Sequence, residues 1–225
     1  CIRDSNEKVS NQSNNFYCDN IDMKSIPEGL NKNIEVSIIV RKSDIKRSPD
    51  IARISEQYDY VRRQTIAITS LLNDEDQCIQ SMPDASPTKW HLAHTTWFFE
   101  TFVLKNLMPN YKIYDEKFTY LFNSYYEQIG KRHARDKRGL LTRPSIGEIK
   151  AYRMHVDEEI KNYLLYEPRT EALSLIELGL NHEQQHQELI LTDINHAFSC
   201  IPLLPVFKSF QSRRNDVVFD MQWLD

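Results

Sequence analysis

Apolar residues recur at helical spacing in four long segments of the chain. In the first, "SPDIARISEQYDYVRRQTIAITSLL", the apolar positions lie three to five residues apart, and Ser48 or Asp50 can cap its start. Such spacing gathers the apolar side chains on one face of an α-helix. The first helix is therefore predicted from the apolar positions Ile51, Ile54, Tyr58, Val61 and Ile66.

Three further segments show the same periodicity. The segment "SPTKWHLAHTTWFFETFVLKNL" begins with Ser86 as a capping residue and has Pro87 at the first helical position. In "RPSIGEIKAYRMHVDEEIKNYLL", Ser145 and Glu148 have the spacing of a capping box. The fourth helix is "TEALSLIELGLNHEQQHQELILTDINHAF". Since no strand pattern interrupts these segments, the chain is predicted to be all-α, a four-helix bundle whose core could hold a metal site.

The residues outside these helices differ in character. Residues 1–49 are rich in Asn, Ser, Lys and Asp, a composition typical of a disordered extension. Residues 109–143 form a long connection with aromatic residues and a basic cluster, and such connections often carry function. The bundle is predicted to span residues 50–205. Residues 206–225 end on an aromatic-rich run, which is typical of a linker toward another folded unit.

Composition narrows the possible partners. The chain has 28 Lys and Arg against 32 Asp and Glu, a formal net charge of -4, so no nucleic-acid partner is expected. No apolar run approaches the roughly 20 residues of a membrane-spanning helix, so no membrane association is expected. The four cysteines form no CxxC pair, which is typical of a protein of the reducing cytoplasm. A small-molecule partner fits this composition best.

The segment "NHEQQHQELILTD" places two histidines four residues apart on the fourth helix. His182 and His186 lie about 40° apart around a helix, so their imidazoles can converge on one ion. A solvated polar face, or a pair of hydrogen-bonded core histidines, explains the same spacing. Glu188 lies about 200° from His186 and cannot join the two histidines on a metal. It is therefore predicted to support the site without touching the ion.

The second helix offers further histidines in "KWHLAHTTWFFE". His91 and His94 lie on adjacent helical faces, and either could reach the bundle core. Three neutral imidazoles without a carboxylate leave positions open on a metal, and they suit ferrous iron or zinc better than calcium or magnesium. The remaining histidines lack such spacing and are expected at the surface or in ordinary hydrogen bonds: His133, His155 and His196.

Gly179 interrupts the fourth helix shortly before His182. Glycine costs a helix interior about 1 kcal/mol relative to alanine. It either admits a close neighbour here or is simply tolerated, and both interpretations stay open on sequence alone.

Four segments together resemble the N-terminal DinB-like domain of the ergothioneine-forming hercynine oxygenases: "SMPDASPTKWHLAHTTWFFETFVL", "LFNSYYEQIG", "RGLLTRPS" and "NHEQQHQELILTD". The resemblance covers about residues 50–205. It implies a DinB-like bundle and a non-haem iron(II) enzyme that uses dioxygen to join a thiol sulfur to the imidazole C2 of hercynine, giving a sulfoxide. It also implies that the iron ligands are His94, His182 and His186, which selects His94 over His91.

The same resemblance gives the basic connection a role. It implies that Arg135 and Arg138, in "RHARDKRGLL", hold the carboxylate of the thiol substrate, a task suited to guanidinium groups. Without the resemblance, this connection would be interpreted as a solvated basic surface. Gln185 is a predicted contact to hercynine. The catalytic tyrosine of the family belongs to a second domain, similar to the formylglycine-generating enzyme, and that domain would begin near "MQWLD"; no catalytic residue is therefore expected in this chain.

Three functional hypotheses follow. The first is the iron-binding half of a hercynine oxygenase, either a fragment of a longer product or one part of a split enzyme with a separate partner polypeptide. Its thiol substrate would be γ-glutamylcysteine or cysteine. The second hypothesis is a stand-alone DinB-like metal-dependent thiol transferase or hydrolase, and the third is a non-catalytic metal-binding module. The length and specificity of the matching motifs favour the first.

Overall fold

The computed structural model of the chain describes residues 48–124, 130–166 and 168–208. Within these ranges the structure is helical and contains no strand, which confirms the all-α prediction. The helices, in chain order, are α1 (Pro49–Thr69), α2 (Thr88–Phe99), α3 (Lys105–Leu107), α4 (Glu116–Phe122), α5 (Ile146–Leu165) and α6 (Thr170–Cys200). The shorter elements are a π-helical turn that joins α2 to α3, Glu100–Leu104, and two 3-10 turns, Asp76–Cys78 and Arg135–Leu140.

The four predicted helices correspond to α1, to α2 with α3, to α5 and to α6. α6 packs against α1 and α2, and α2 packs against α5. Every residue of α2 is buried, so this helix is surrounded by the others, and any polar side chain that it carries must find a partner inside the protein. The bundle core includes the fully buried side chains of Leu92, Trp97, Phe99, Tyr152, Val156 and Ile176.

Two of the predicted start signals act as local caps. The hydroxyl of Ser48 accepts a hydrogen bond from the backbone N–H of Ile51 at 3.4 Å. At the start of α5, Ser145 and Glu148 form the complete capping box, each side chain accepting from the backbone of the other. These interactions satisfy backbone donors that the first helical turn leaves unpaired.

The prediction that Ser86 caps the second helix is wrong. α2 begins at Thr88, its N-cap is Pro87, and no side chain caps it. The hydroxyl of Ser86 instead accepts a hydrogen bond from Arg138 Nη1 at 2.9 Å. Its backbone N–H donates to Asp193 Oδ2, also at 2.9 Å. Partners that are distant in sequence have therefore replaced the local cap.

The connection between α3 and α5 contains more regular structure than the sequence predicted. The short helix α4 ends beside α2, where Trp90 Nε1 donates a hydrogen bond to the carbonyl oxygen of Leu121 at 3.0 Å. The 3-10 turn Arg135–Leu140 follows, and Gln80 Nε2 donates to the carbonyl oxygen of Arg135 at 2.8 Å. These contacts hold the connection against the end of the bundle that carries His91 and His94.

Gly179 allows two aromatic rings to approach the backbone of α6. A Cβ atom added at this position would lie 2.5 Å from Cε1 of Phe99 and 3.0 Å from Cε1 of Phe98. Such separations are shorter than van der Waals contact, so a larger residue would displace these rings. The structure thus favours the interpretation that Gly179 admits a close neighbour.

A buried ionic network joins α1, α5 and α6. The carboxylate of Glu183 is fully buried and accepts a hydrogen bond from Arg62 Nη1 at 2.8 Å and another from Arg153 Nη2. Thr65 Oγ1 also donates to this carboxylate. Arg62 continues the network through its Nε atom, which lies 2.6 Å from Asp157 Oδ1. Three helices are therefore held together by one carboxylate and its two guanidinium partners.

The predicted disordered extension, residues 1–49, and the predicted linker, residues 206–225, lie almost wholly outside the described residues and stay predictions. In the part of the chain that is described, no helix is both long enough and apolar enough to cross a membrane.

Candidate metal centre

Three histidines from two helices meet at one end of the bundle. His94 extends from α2, and His182 and His186 extend from successive turns of α6. His182 Nε2 lies 3.3 Å from His94 Nε2 and 3.1 Å from His186 Nε2. One ring nitrogen of each residue falls within 4.8 Å of the others. The structure therefore brings together the three residues that the resemblance implied.

The His94 ring is oriented by a backbone carbonyl group. His94 Nδ1 lies 2.6 Å from the carbonyl oxygen of Phe122, at the end of α4. A carbonyl oxygen can only accept, so Nδ1 must carry the proton. The unprotonated Nε2 atom faces His182 Nε2 at 3.3 Å, and its lone pair is the one that a metal would bind.

The donor set fits a transition-metal ion. Two nitrogens that each lie about 2.1 Å from one ion are separated by about 3.0–3.4 Å at octahedral to tetrahedral angles. The two separations that involve His182 are 3.1 and 3.3 Å, and all three nitrogens lie within 4.8 Å of one another. Imidazole nitrogens suit iron and zinc, whereas calcium and magnesium require oxygen ligands. The ligand type and the spacing around His182 therefore both fit iron or zinc.

The surroundings keep all three imidazoles neutral at pH 7. Burial lowers the pKa of His182 to about 4. Burial also lowers the pKa of His94 and of His186, and in both cases a neighbouring histidine lowers it further. A neutral imidazole is the form that binds a metal. The three residues are thus ready to coordinate an ion without first losing protons.

We expect the stability of the metal-free protein to fall as the pH drops below about 6.5. An unfolded histidine takes up a proton near pH 6.5, whereas folded His182 does so only near pH 4. Between these values the unfolded chain binds more protons, so the free energy of unfolding decreases with decreasing pH. Urea unfolding of the metal-free protein at pH 7 and pH 5 measures this loss. The His182→Gln variant should lose less stability over the same interval, and an equal loss would contradict the assignment.

The three histidines line a cavity of about 400 Å³. The same cavity is lined by the three predicted substrate contacts, Arg135, Arg138 and Gln185. Arg135 and Gln185 are exposed, whereas Arg138 is buried. All predicted ligands and substrate contacts therefore share one space. The remaining lining residues are Ser86, Trp90, His91, Ser124 and Leu189.

Arg138 is held in place by an aromatic ring and two hydroxyl groups. Its Cζ atom lies 3.4 Å from the centroid of the Trp90 ring, a stacked cation-π arrangement. Nη1 donates to Ser86 Oγ at 2.9 Å, and Nη2 lies 3.5 Å from Ser124 Oγ. The side chain is only 4% exposed. The alternative interpretation of the basic connection, a solvated surface, is therefore wrong for Arg138.

Glu188 is not in contact with the centre. Its side chain is exposed, and it does not line the cavity. Helical geometry turns it away from His186, so the supporting role predicted for it lacks a contact among the described residues. Asp193 is the carboxylate on α6 that reaches the histidine cluster, through His91.

The three histidines that the sequence set aside lie away from the centre. His196 Nδ1 is 2.7 Å from Ser81 Oγ, and His133 Nε2 is 3.1 Å from the carbonyl oxygen of Lys137. His155 packs near the rings of Tyr111 and Tyr114.

The sequence analysis considered His91 only as an alternative ligand and gave Asp193 no role in the site. His91 Nδ1 lies 2.8 Å from His186 Nδ1, and His91 Nε2 lies 3.1 Å from Asp193 Oδ2. Asp193 follows His186 by seven residues, or about two helical turns, so both lie on one stripe of α6. That spacing was a usable signal for Asp193. The stacking of Trp90 on Arg138 had no such signal, because 48 residues separate them in the chain.

Comparison with known proteins assigns the chain to a family. No curated protein matches the sequence. The DinB superfamily matches residues 57–190, which is more than half of the chain and includes all of the three clustered histidines. Members of this superfamily bind metals and often are metal-dependent enzymes. The helical bundle and the histidine cluster agree with that match, and the chain belongs to the DinB superfamily.

Proposed function

We propose that this chain is the iron-binding half of a hercynine oxygenase. In the reaction, the S–H bond of the thiol and the C2–H bond of the hercynine imidazole break, and a C–S bond forms. The sulfur is also oxidised to the sulfoxide. Dioxygen accepts the four electrons, one of its oxygen atoms enters the sulfoxide, and the other leaves as water.

One observation carries this proposal. Three imidazoles and a buried, oriented guanidinium group line the same cavity of about 400 Å³. A small amino-acid thiol has a sulfur atom and a carboxylate at opposite ends. The sulfur can bind a metal ion, and the carboxylate can bind a guanidinium group through two parallel hydrogen bonds.

The residues of the chain have separate tasks in this proposal. His94, His182 and His186 hold iron(II), which when bound supplies the redox chemistry with dioxygen. Arg138 binds the thiol carboxylate, while Trp90 restricts the orientation of its guanidinium plane. Fixed orientation of the reacting groups lowers the entropic cost of the reaction.

Arg135 and Gln185 complete the proposed binding surface. Both are exposed residues on the cavity wall. Arg135 adds a second positive charge for the thiol carboxylate. The Gln185 amide has donors and an acceptor for the hercynine imidazole. The catalytic tyrosine is assigned to a partner domain similar to the formylglycine-generating enzyme.

A metal-dependent thiol transferase or hydrolase is the second candidate. The superfamily match agrees with this candidate as well as with the first, because it carries no narrower assignment than DinB. The same histidines and arginines would bind the metal and the thiol, and dioxygen would not take part.

We expect the Arg138→Leu variant to bind cysteine about 10- to 100-fold more weakly than the wild type, since hydrogen bonds to a charged group contribute about 1.5–3 kcal/mol. Its iron content should not change. Isothermal titration with cysteine and with cysteamine, which lacks the carboxylate, measures the effect. Only cysteine binding should weaken.

Lys137→Ala is the matched control for Arg138→Leu. Lys137 lies in the same 3-10 turn, is exposed, and does not line the cavity. Its removal should leave the binding of both thiols unchanged. Equal weakening of cysteine and cysteamine in Arg138→Leu would contradict the assigned contact.

Oxygen consumption tests the reaction itself. Iron-loaded protein, mixed with the partner domain, hercynine and either γ-glutamylcysteine or cysteine, should consume dioxygen only when both substrates are present. Thiol consumption that continues without dioxygen would favour the transferase or hydrolase. Bound iron with neither activity would favour the non-catalytic module and would overturn the oxygenase proposal.

A further inference from the structure

His91 lies between a metal-ligand candidate and a carboxylate. Its Nδ1 atom is 2.8 Å from Nδ1 of His186, and its Nε2 atom is 3.1 Å from Oδ2 of Asp193. His91 is 3% exposed, and the side chain of Asp193 is 13% exposed. Water has little access to either contact, so the protein itself determines their hydrogen bonding.

The order of these contacts fixes the position of each proton. The Asp193 carboxylate can only accept, so His91 Nε2 carries a proton and donates it to Oδ2. A neutral His91 then has an unprotonated Nδ1 atom, which accepts from Nδ1–H of His186. With its proton on Nδ1, His186 has an unprotonated Nε2 atom, which faces His182 Nε2 at 3.1 Å.

We propose that Asp193 and His91 form a positioning relay that keeps His186 in the tautomer able to bind metal. The inference rests on the metal centre of the proposed function and deepens it. His91 is buried on α2 beside His94, yet its partners are His186 and Asp193. Its role is therefore to orient a ligand, as the Phe122 carbonyl group does for His94.

A second contact keeps the carboxylate of the relay in place. Oδ2 of Asp193 also accepts the backbone N–H of Ser86 at 2.9 Å. One oxygen thus accepts two hydrogen bonds, one from Ser86, just before α2, and one from His91, in the first turn of α2. This fixes the carboxylate relative to the helix that carries His91, so the relay does not depend on the side-chain rotamer of Asp193 alone.

Nitrogen-15 NMR of the histidine rings tests the relay in the metal-free protein at neutral pH. The chemical shifts should show a proton on Nδ1 of His186 and on Nε2 of His91. In Asp193→Ala, where His91 loses its acceptor, both rings should become mixtures of the two tautomers. A proton on Nε2 of His186 in the wild type would overturn the proposal.

Metal affinity provides the second readout. We expect Asp193→Ala to weaken Co²⁺ binding about 10- to 100-fold, as is usual when the partner of a metal-binding histidine is removed. Asp193→Asn should restore most of the affinity, because its amide oxygen can accept the same two hydrogen bonds. Glu177→Ala is the matched control, because Glu177 is on the same helix but forms an exposed ion pair with Arg53.

The possible outcomes distinguish failure of the relay proposal from failure of the metal centre itself. Wild-type Co²⁺ affinity in Asp193→Ala, with binding lost in His182→Ala, would overturn the relay and leave the metal centre intact. Failure of the wild-type protein to bind Co²⁺ would overturn both. Equal losses in Asp193→Ala and Asp193→Asn would show that charge, not acceptance of a hydrogen bond, matters, and would overturn the tautomer argument.

Discussion

Replacing His182 with alanine is expected to abolish stoichiometric iron binding, and replacing His186 should have the same effect. The two residues supply two of the three ring nitrogens in the cluster. Removal of either leaves a two-histidine site, which is too few protein ligands for a stable mononuclear centre of this type. Iron per chain, measured after anaerobic reconstitution and desalting, should fall from about one in the wild type to near zero.

His196→Ala is the matched control for these two variants. His196 is on the same helix, but its ring contacts Ser81 and does not line the cavity. This variant should retain wild-type iron content. Circular dichroism should show that all three variants keep their helices. Full iron content in a folded His182→Ala or His186→Ala variant would place the metal elsewhere.

Replacing Glu183 with alanine is expected to destabilise the fold by about 3–5 kcal/mol, the usual effect of removing one partner from a buried ion pair. The substitution would leave the guanidinium groups of Arg62 and Arg153 buried without their shared carboxylate. Burial by itself would raise the pKa of Glu183, but Arg153 and Arg62 outweigh burial and lower that pKa to about 2. The carboxylate is thus charged at neutral pH and interacts strongly with both arginines.

Urea unfolding of metal-free protein measures this effect. Glu177→Ala removes a carboxylate from the same helix, but its ion pair with Arg53 is about half exposed. The control should therefore change the free energy of unfolding by less than about 1 kcal/mol. If Glu183→Ala were as stable as the control, the network would not hold α1, α5 and α6 together.

The helices could be predicted because their signals are local. Apolar periodicity and the capping box at Ser145 depend on residues within a few positions of each other. The prediction for Ser86 failed for the opposite reason. Its hydroxyl and its N–H are used by Arg138 and Asp193, which are 52 and 107 residues away. A capping signal in the sequence does not show whether residues far away in the chain will use the same hydrogen-bonding groups.

The site was only partly visible in the sequence. The spacing of His182 and His186 predicted that both lie on one helical face. The sequence pattern did not distinguish His91 from His94 as the third metal ligand, and only the family resemblance selected His94. In the structure both residues are buried, but their partners differ. His94 Nε2 faces His182 Nε2, whereas His91 Nδ1 contacts Nδ1 of His186. Only the packing of α2 against α6 distinguishes a ligand candidate from a positioning residue.

The orientation of Glu188 could be predicted from the sequence, whereas the burial of Arg138 could not. Helical geometry turned Glu188 away from His186, and its side chain is exposed. The burial of Arg138 depends on Trp90, which α2 presents from a distant part of the sequence. Composition alone therefore suggested a solvated basic loop, because the ring that covers Arg138 belongs to another element.

X-ray absorption at the iron edge, with and without cysteine, tests the three-histidine centre most directly. The iron-loaded protein should show three imidazole nitrogens bound to each iron, and added cysteine should introduce one sulfur ligand while those nitrogens remain. The sulfur signal should require a higher cysteine concentration in Arg138→Leu. Fewer than three imidazole ligands, or no sulfur at saturating cysteine, would contradict a thiol-binding iron centre at His94, His182 and His186.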